Sequence, residues 1–310
     1  MTDEPMVMAR AALLQAGYEP AFLDHEKVFT SVLDCEIDDA GSRCTVTAGE
    51  AVVEMAAVSV AYVRGANFYD YDEMRDLPRD APLAQRAAAF EMQLMAWLDA
   101  SDAVVINKSG PAAANNSKPY QLTAVRNAGF HVPETFLTND PAAARAFVSA
   151  RRDVIYKSIS GTRSIVRPLD ERQRAFLDDV KWCPTCFQER LTGMNYRVHV
   201  IGDRVLALRI ESDQLDYRYG NTRMAETELP DDIAQRCRDM TGAMGLHFSG
   251  IDLMQTRDGE WFCFEVNPSP AFSYFEAASG QPIAAALARF LLDQLARAED
   301  AAAKRALQTH

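Results

Sequence analysis

The stretch Gly250-Ile251-Asp252-Leu253-Met254, followed after a turn by Phe264-Glu265-Val266-Asn267-Pro268-Ser269-Pro270, decides the fold of this chain. Both segments are rich in apolar residues, and the turn between them carries Asp258-Gly259 at its tip. An Asp-Gly turn between apolar runs is typical of a β-hairpin. The two segments are therefore predicted to be neighbouring antiparallel strands.

Side-chain alternation in this hairpin brings three oxygen donors together. Glu265 and Asn267 share one face of their strand, whereas Phe264 and Val266 pack on the other. Asp252 on the neighbouring strand adds a second carboxylate. Carboxylate and amide oxygens suit Mg²⁺, which takes its remaining ligands from water and substrate phosphates. The pattern predicts a metal and ATP site; the alternative is a solvated hairpin face.

The D-L-x and E-V-N-P-S-P segments together resemble the metal end of the ATP-grasp enzymes, in particular the RimK-like branch of carboxylate–amine ligases. The resemblance implies an α/β protein with the ATP-grasp fold: an N-terminal α/β domain, a central lid subdomain and a C-terminal antiparallel-sheet subdomain that clamps ATP. It implies Asp252, Glu265 and Asn267 as ligands of two Mg²⁺ ions, with Mn²⁺ as the alternative metal. The three parts are expected at residues 1–115, 116–190 and 191–310, the last with the terminal helix.

Two lysines upstream match positions at which this family holds ATP phosphates. Lys118 opens a predicted helix that ends near Gly129, with a proline shortly beyond as a stop signal. Lys157 ends the β-rich run from Asp153 and precedes a small-residue loop around Gly161. A lysine at the end of a strand, just before such a loop, can bind ATP phosphates through its ammonium group, while the amides of the loop bind the phosphate oxygens. The alternatives are an exposed surface lysine at 118 and an ordinary turn at 161.

The segment Gln188-Glu189-Arg190-Leu191 resembles the family's linker, which binds adenine through backbone groups. The next strand carries Asn195 near the expected ribose position and Arg197 two residues on, on the same face. An Arg within a strand is otherwise an edge residue, which is the alternative for Arg197. The resemblance implies nucleotide contacts from Lys118, Lys157, Gln188, Glu189, Arg190, Leu191, Asn195, Arg197 and Asn221.

A further loop, Asp216-Tyr217-Arg218-Tyr219-Gly220-Asn221, resembles the D-x-R-x-N loop that relatives place near the transferring phosphate and the acyl acceptor. Its spacing differs from that pattern by one residue at Asn221. A guanidinium fork matches phosphate geometry. Arg218 is therefore expected to be catalytic, together with Arg197 and Lys157.

The reaction implied is ATP-dependent joining of a carboxylate to the amine of an amino acid or peptide, through an acyl phosphate, with release of ADP and phosphate. The segments Tyr62-Val63-Arg64, Val105-Ile106-Asn107 and Gly129–Asp140 also resemble the graspetide synthetases, so a maturase that forms ester or amide cross-links in a ribosomal peptide is the alternative. Those enzymes carry a Gly-Gln-Trp-like stretch where this chain has Ser269-Pro270-Ala271-Phe272. An ATP-grasp kinase or a non-catalytic ATP-binding module is the second alternative.

The amino-acid composition limits the classes of binding partner that we expect for this protein. The 310 residues are 48% hydrophobic, enough for large cores, and their net charge of −12 argues against nucleic-acid binding through bulk electrostatics. Apolar runs fall short of the roughly 18 residues of a membrane span, and the acidic N-terminus lacks a signal-peptide pattern. We expect a cytoplasmic protein without membrane contact, with small-molecule or peptide carboxylate and amine substrates. Homo-oligomer formation is left open.

The remaining expectations concern cysteines and local elements. The six cysteines are expected as free thiols, because the one C-x-x-C, Cys183–Cys186, lacks the second ligand pair of a structural zinc site. Strand alternation places Cys263 on the Glu265 face. Other elements are expected as strands at Val28–Val32, Ala57–Arg64 and Ala103–Asn107 and as helices from Pro82 to Leu98 and from Pro282 to about Ala303.

Overall fold

The computed structural model of the chain describes residues 3–39, 41–65, 67–159, 166–214 and 220–308. Its helices are α1 (Glu4–Gln15), α2 (Pro82–Ala100), α3 (Ser109–Ala112), α4 (Lys118–Asn127), α5 (Pro141–Ser149), α6 (Glu171–Arg174), α7 (Asp231–Ala243), α8 (Phe272–Ser279) and α9 (Ile283–Gln308). Its strands are β1 (Val32–Asp38), β2 (Gly41–Ala48), β3 (Ala51–Glu54), β4 (Val60–Tyr62), β5 (Val104–Ile106), β6 (Thr135–Thr138), β7 (Val154–Ser158), β8 (Arg167–Pro168), β9 (Thr185–Glu189), β10 (Gly193–Ile201), β11 (Arg204–Ser212), β12 (Thr222–Thr227), β13 (Phe248–Thr256) and β14 (Trp261–Asn267).

Unit 1 comprises residues up to Gly110, Ala271–Ala277 and the chain from Pro282 onward. Asp3 caps α1 by accepting a hydrogen bond from the Met6 amide, and a proline in the first turn begins each of α1 and α2. Strands β1, β2 and β3 form an antiparallel meander, and β4 pairs with β5 in parallel. Helix α9, which the division by sequence assigns to the C-terminal subdomain, packs on α1 in this unit.

One local prediction in unit 1 is wrong. The strand expected at Val28–Val32 is replaced by a 3₁₀ turn at His25–Lys27 and a following turn, and β1 begins only at the last residue of that range. Asp24 caps the turn by accepting a hydrogen bond of 3.0 Å from the Glu26 amide. Amides further along bond back to the Lys27 carbonyl. Side-chain capping thus gives the backbone an alternative to strand pairing.

The expectation of six free thiols is wrong for one pair. Cys35 on β1 and Cys44 on β2 are direct partners in the antiparallel register and form a disulfide, with their Cα atoms 4.2 Å apart. The register of the β1–β2 hairpin, which the C-x-x-C motif does not indicate, brings the two residues opposite each other. Cys183, Cys186, Cys237 and Cys263 are free thiols, as expected.

Unit 2 comprises Pro111–Pro270 and Ala278–Gln281, and its described residues form two sheets. The first sheet has the strand order β6-β9-β7-β8, and the second has the order β12-β11-β10-β13-β14. All neighbouring strands in both sheets are antiparallel. Helix α7 covers the second sheet, and their apolar faces share one core. That core contains Val198, Val200, Ile233, Met240, Ile251 and Val266.

The predicted hairpin is confirmed as β13–β14, but a β-bulge changes which side chains share a face. Asp252 pairs with Glu265, whereas the next residue, Leu253, pairs with Cys263, so Phe264 is the extra residue. Cys263 consequently joins the buried core with Leu253 rather than the Glu265 face. Its predicted position on the Glu265 face is wrong, because simple alternation does not hold across a bulge. Burial raises the pKa of the Cys263 thiol well above its ordinary value.

Candidate active site

Three adjacent strands carry the centre of the site. Arg197 on β10 lies opposite Asp252 on β13, which in turn lies opposite Glu265 on β14. The Arg197 Nη1 donates to Asp252 Oδ1 at 2.9 Å. Arg197 is 4% exposed, so the alternative of a solvated edge residue does not hold. A buried guanidinium is stable here because a carboxylate compensates its charge.

Lys118 brings a second cation to the same place. It is the first residue of α4, it is 3% exposed, and its Nζ lies 3.3 Å from Glu265 Oε1. Gln121, one turn further on, fixes α4 to the edge of β14: its amide donates to the Val266 carbonyl at 2.8 Å and accepts from the Val266 amide at 3.3 Å. Helix α4 ends as predicted, with Gly129 at a φ of 83°.

Lys157 adds a third cation from the other sheet of unit 2. Its Nζ lies 3.4 Å from Gln188 Oε1, and Gln188 Nε2 donates to Thr135 Oγ1 at 2.8 Å. Burial lowers the pKa of the Lys157 ammonium; Cys186, Glu265 and Asp252 oppose this and Lys118 reinforces it. Lys157 therefore lies within electrostatic reach of both carboxylates.

The donor chemistry of this cluster fits a hard cation bound together with phosphates. Asn267 follows Glu265 on the same strand face, and its Oδ1 accepts a hydrogen bond of 2.9 Å from the Ser269 amide. In the described part of the chain, no group of three or more His, Cys, Asp or Glu side chains is arranged to hold a metal. Two carboxylates and an amide leave room for water and phosphate oxygens, as Mg²⁺ prefers. The ligand assignment remains a prediction.

The predicted adenine linker is already hydrogen-bonded to its neighbours. Gln188 is 1% exposed and directs its side chain to Lys157. Glu189 Oε1 accepts from the Glu134 amide at 2.8 Å, while the Arg190 amide donates to the Asp153 carbonyl at 3.1 Å. These groups already have hydrogen-bond partners within the protein. Adenine contacts from Glu189, Arg190 and Leu191 therefore stay a prediction, and they would use the remaining backbone N–H and C=O groups of these residues.

The other predicted residues fall into three situations. Asn195 is half-buried on β10, on the face that carries Arg197. Asn221 is exposed and anchors its own loop, donating through its amide nitrogen to Asp213 Oδ2 at 3.2 Å. The structure thus does not group Asn221 with the lysines. Arg218 and the loop around Gly161 lie outside the described residues.

Three residues that the sequence did not point to position the residues at the centre of the site. Thr135 orients Gln188, Gln121 locks α4, and Cys186 lies opposite Lys157 in the register of β7 and β9. The signal for Gln121 was available, because it stands three residues after Lys118 and shares its helix face. Thr135 and Cys186 depend on strand pairing between distant segments, which spacing along the chain does not reveal.

Similarity to known proteins establishes the family of this chain. The model of the RimK-like ATP-grasp domain matches residues 113–291. The chain belongs to the RimK-like ATP-grasp family. A probable alpha-L-glutamate ligase of Haemophilus influenzae (strain PittEE) is 27% identical over 236 residues, covering 72% of this chain and 77% of the relative. One from Sodalis glossinidius (strain morsitans) is 25% identical over 258 residues, covering 79% and 85%.

Solved structures extend the similarity over both units. The ATP-grasp ligase PsnB, complexed with a phosphomimetic variant of its minimal precursor, Mg and ADP, is 30% identical with a TM-score of 0.77, covering 93% of this chain and 94% of that one. The macrocyclase MdnC from Microcystis aeruginosa MRC, bound with the precursor peptide MdnA, has a TM-score of 0.79 at 21% identity, covering 94% and 96%. The likeness to MdnC concerns the fold alone.

Family membership confirms several predictions made from the sequence. The fold is the ATP-grasp fold, and the protein is an ATP-dependent carboxylate–amine ligase that forms C–N bonds. ATP-grasp ligases use ATP and Mg²⁺, in agreement with the donor set described above. Within the described residues, the helices are too short or too polar to cross a bilayer.

Proposed function

We propose that this ligase acts on a peptide, activating one of its carboxylates as an acyl phosphate and joining it to an amine with release of ADP and phosphate. The observation that carries the proposal is the convergence of Lys118, Lys157 and Arg197 on the carboxylates of Asp252 and Glu265. Such a site holds and neutralises a polyphosphate. The peptide substrate is supported by the similarity to PsnB, which spans 93% of this chain.

The cationic side chains receive distinct roles. Lys157, whose burial disfavours its charge, regains an anionic partner when phosphate binds, and we assign it to the transferring phosphoryl group. Lys118 and Arg197 are held by carboxylates and supply positive charge beside it. Arg218 is assigned to the acyl phosphate, with Asn195 at the ribose, Gln188 to Leu191 at adenine and Asn221 near the acceptor.

Bound metal would supply neutralisation of charge on the phosphates. Asp252, Glu265 and Asn267 would hold it, as two Mg²⁺ ions or as Mn²⁺ in their place. Lys118 and Arg197, which pair with these carboxylates in the structure, would then bind the phosphate oxygens instead. When nucleotide binds, we expect Lys118 and Arg197 to exchange their ion pairs with Glu265 and Asp252 for ion pairs with the phosphates.

Hydroxylamine offered in place of the natural amine is expected to intercept the acyl phosphate and give a hydroxamate with ADP and phosphate. The reaction would contain ATP, Mg²⁺ and a pooled library of Asp- and Glu-containing peptides and free amino acids, read by mass spectrometry. Lys157→Met should form neither hydroxamate nor ADP, because a charge on the transferring group in a dry site lowers the barrier by several kcal/mol. AMP with pyrophosphate, or a stable phosphorylated product without hydroxamate, would refute this reaction class.

Addition of glutamate is the second candidate, favoured by the curated relatives of probable alpha-L-glutamate ligase type. Without hydroxylamine the two candidates differ in product mass. A peptide whose carboxylate is joined to its own amine loses one water, whereas an acceptor that receives glutamate gains one glutamyl residue. Isotope-labelled glutamate in the same assay identifies the second outcome directly.

A further inference from the structure

A half-open cavity lies within unit 1 and shares no residue with the candidate active site. It encloses about 470 Å³ between α1, α2, α9 and the segment β3–β4. Ligand-binding clefts span roughly 300 to 1,000 Å³ and are mostly apolar with a few polar groups. This cavity follows that composition, and its apolar lining includes Leu13, Val53, Leu94, Leu98 and Leu295.

The charged residues that line the cavity are mainly acidic. Asp24, Glu54 and Glu91 line it together with one guanidinium, that of Arg10. Arg10 lies 4.9 Å from the centroid of the Phe22 ring, over its face. The Asp24 carboxylate accepts a hydrogen bond from the Glu26 amide and is thereby held in a backbone cap. Glu54 is exposed, so Glu91 is the half-buried carboxylate of the lining that is not held in a backbone cap.

Glu91 lies in the middle of α2, beside the apolar lining. Among the described residues it forms an ion pair with His25, whose Nδ1 is 3.8 Å from Glu91 Oε1. Burial lowers the pKa of His25 and raises that of Glu91, so this pair compensates the carboxylate poorly. A half-buried carboxylate beside apolar walls is stabilised when a cation pairs with it.

We propose that this cavity binds a small apolar primary amine, with its hydrocarbon body against the leucine-rich walls and its ammonium on Glu91. The charge of the lining selects an amine over an apolar acid, because a carboxylate would meet three carboxylates and one guanidinium. The inference goes beyond the proposed function. Its residues belong to unit 1, whereas the ATP-site residues belong to unit 2, so either can fail alone.

Titration calorimetry of the full chain with tryptamine, tryptophol and indole-3-propanoate tests the inference at neutral pH. Tryptamine should bind about tenfold more tightly than tryptophol, which has the same ring without the charge, and indole-3-propanoate should bind most weakly. Glu91→Gln should remove the preference for the amine over the alcohol. The matched change Glu54→Gln, at an exposed rim position, should preserve the preference.

A blocking variant locates the binding. Ala57 is exposed and lines the cavity, so Ala57→Phe should abolish tryptamine binding without loss of fold, checked by thermal unfolding. Ala56→Phe, the same change at an exposed neighbour outside the lining, should leave binding unchanged. Absent tryptamine binding in the unmodified chain, equal binding of the three compounds, an amine preference that survives Glu91→Gln, or binding that survives Ala57→Phe would each overturn the proposal.

Discussion

Glu265→Gln is expected to lower ligase turnover by roughly two to four orders of magnitude. The change keeps the shape of the side chain but removes one carboxylate from the proposed Mg²⁺ shell, where metal stabilisation of phosphate charge contributes several kcal/mol. Turnover is measured as ADP release over a range of Mg²⁺ concentrations, and the requirement for Mg²⁺ should rise in the variant. Unaltered turnover would remove Glu265 from the metal site.

The same substitution should also cost stability, because Lys118 is 3% exposed and pairs with Glu265 at 3.3 Å. An amide oxygen keeps a hydrogen bond but not the opposite charge, so we expect a loss of about 1–3 kcal/mol in the free energy of unfolding. If the lost metal ligand causes the fall in turnover, saturating ATP should not restore the turnover of Glu265→Gln. Glu260→Gln is the matched control, since Glu260 lies next to β14 but pairs with the exposed His131.

The parts of the fold that sequence predicted well are those fixed by neighbours along the chain. The β13–β14 hairpin follows from its Asp-Gly turn, and α4 follows from its stop at Gly129, whose positive φ suits glycine. The strand predicted at Val28–Val32 failed because a cap from Asp24 offers the same backbone a competing set of hydrogen bonds. Sequence signals within a short segment predict its secondary structure only when they all favour the same backbone conformation.

What the sequence could not provide depends on contacts between distant segments. The bulge at Phe264 is a property of the pairing between two strands, and it moved Cys263 from the predicted site face to the core. The cysteine pair 35 and 44 depends likewise on register. The burial of Lys118, which turns a surface lysine into a site residue, required α4 to dock on β14. Motif order identified the family, whereas geometry identified what holds each side chain.

Gly250→Ala is expected to lower turnover by about ten- to a thousandfold, although Gly250 carries no functional group. Gly250 lies on β13 opposite Asn267, two residues from Asp252 on the same face. A Cβ there would clash with Arg197 Nη2 and lie 2.8 Å from Pro270 Cβ. Because the proline ring is rigid, the guanidinium is the group that moves, and it would lose its position on Asp252.

Gly250 is necessary because a side chain would not fit there, and not because the backbone needs a positive φ. A glycine with free space around it serves as the control. Gly242, near the end of α7, has no heavy atom within 4 Å of an added Cβ. Gly242→Ala should therefore leave turnover unchanged and stabilise its helix slightly, by up to about 1 kcal/mol. Steady-state kinetics and thermal unfolding of both variants measure the difference.

A double-mutant cycle with Arg197→Lys identifies the route by which Gly250 acts. Lysine removes the guanidinium fork that the added Cβ would displace, so Gly250→Ala should cost little further turnover in the Arg197→Lys background. The coupling free energy should then approach the cost of Gly250→Ala alone. Strictly additive effects on turnover would show that the glycine acts through the backbone or Pro270, and full activity of Gly250→Ala would contradict the placement of Arg197 over β13.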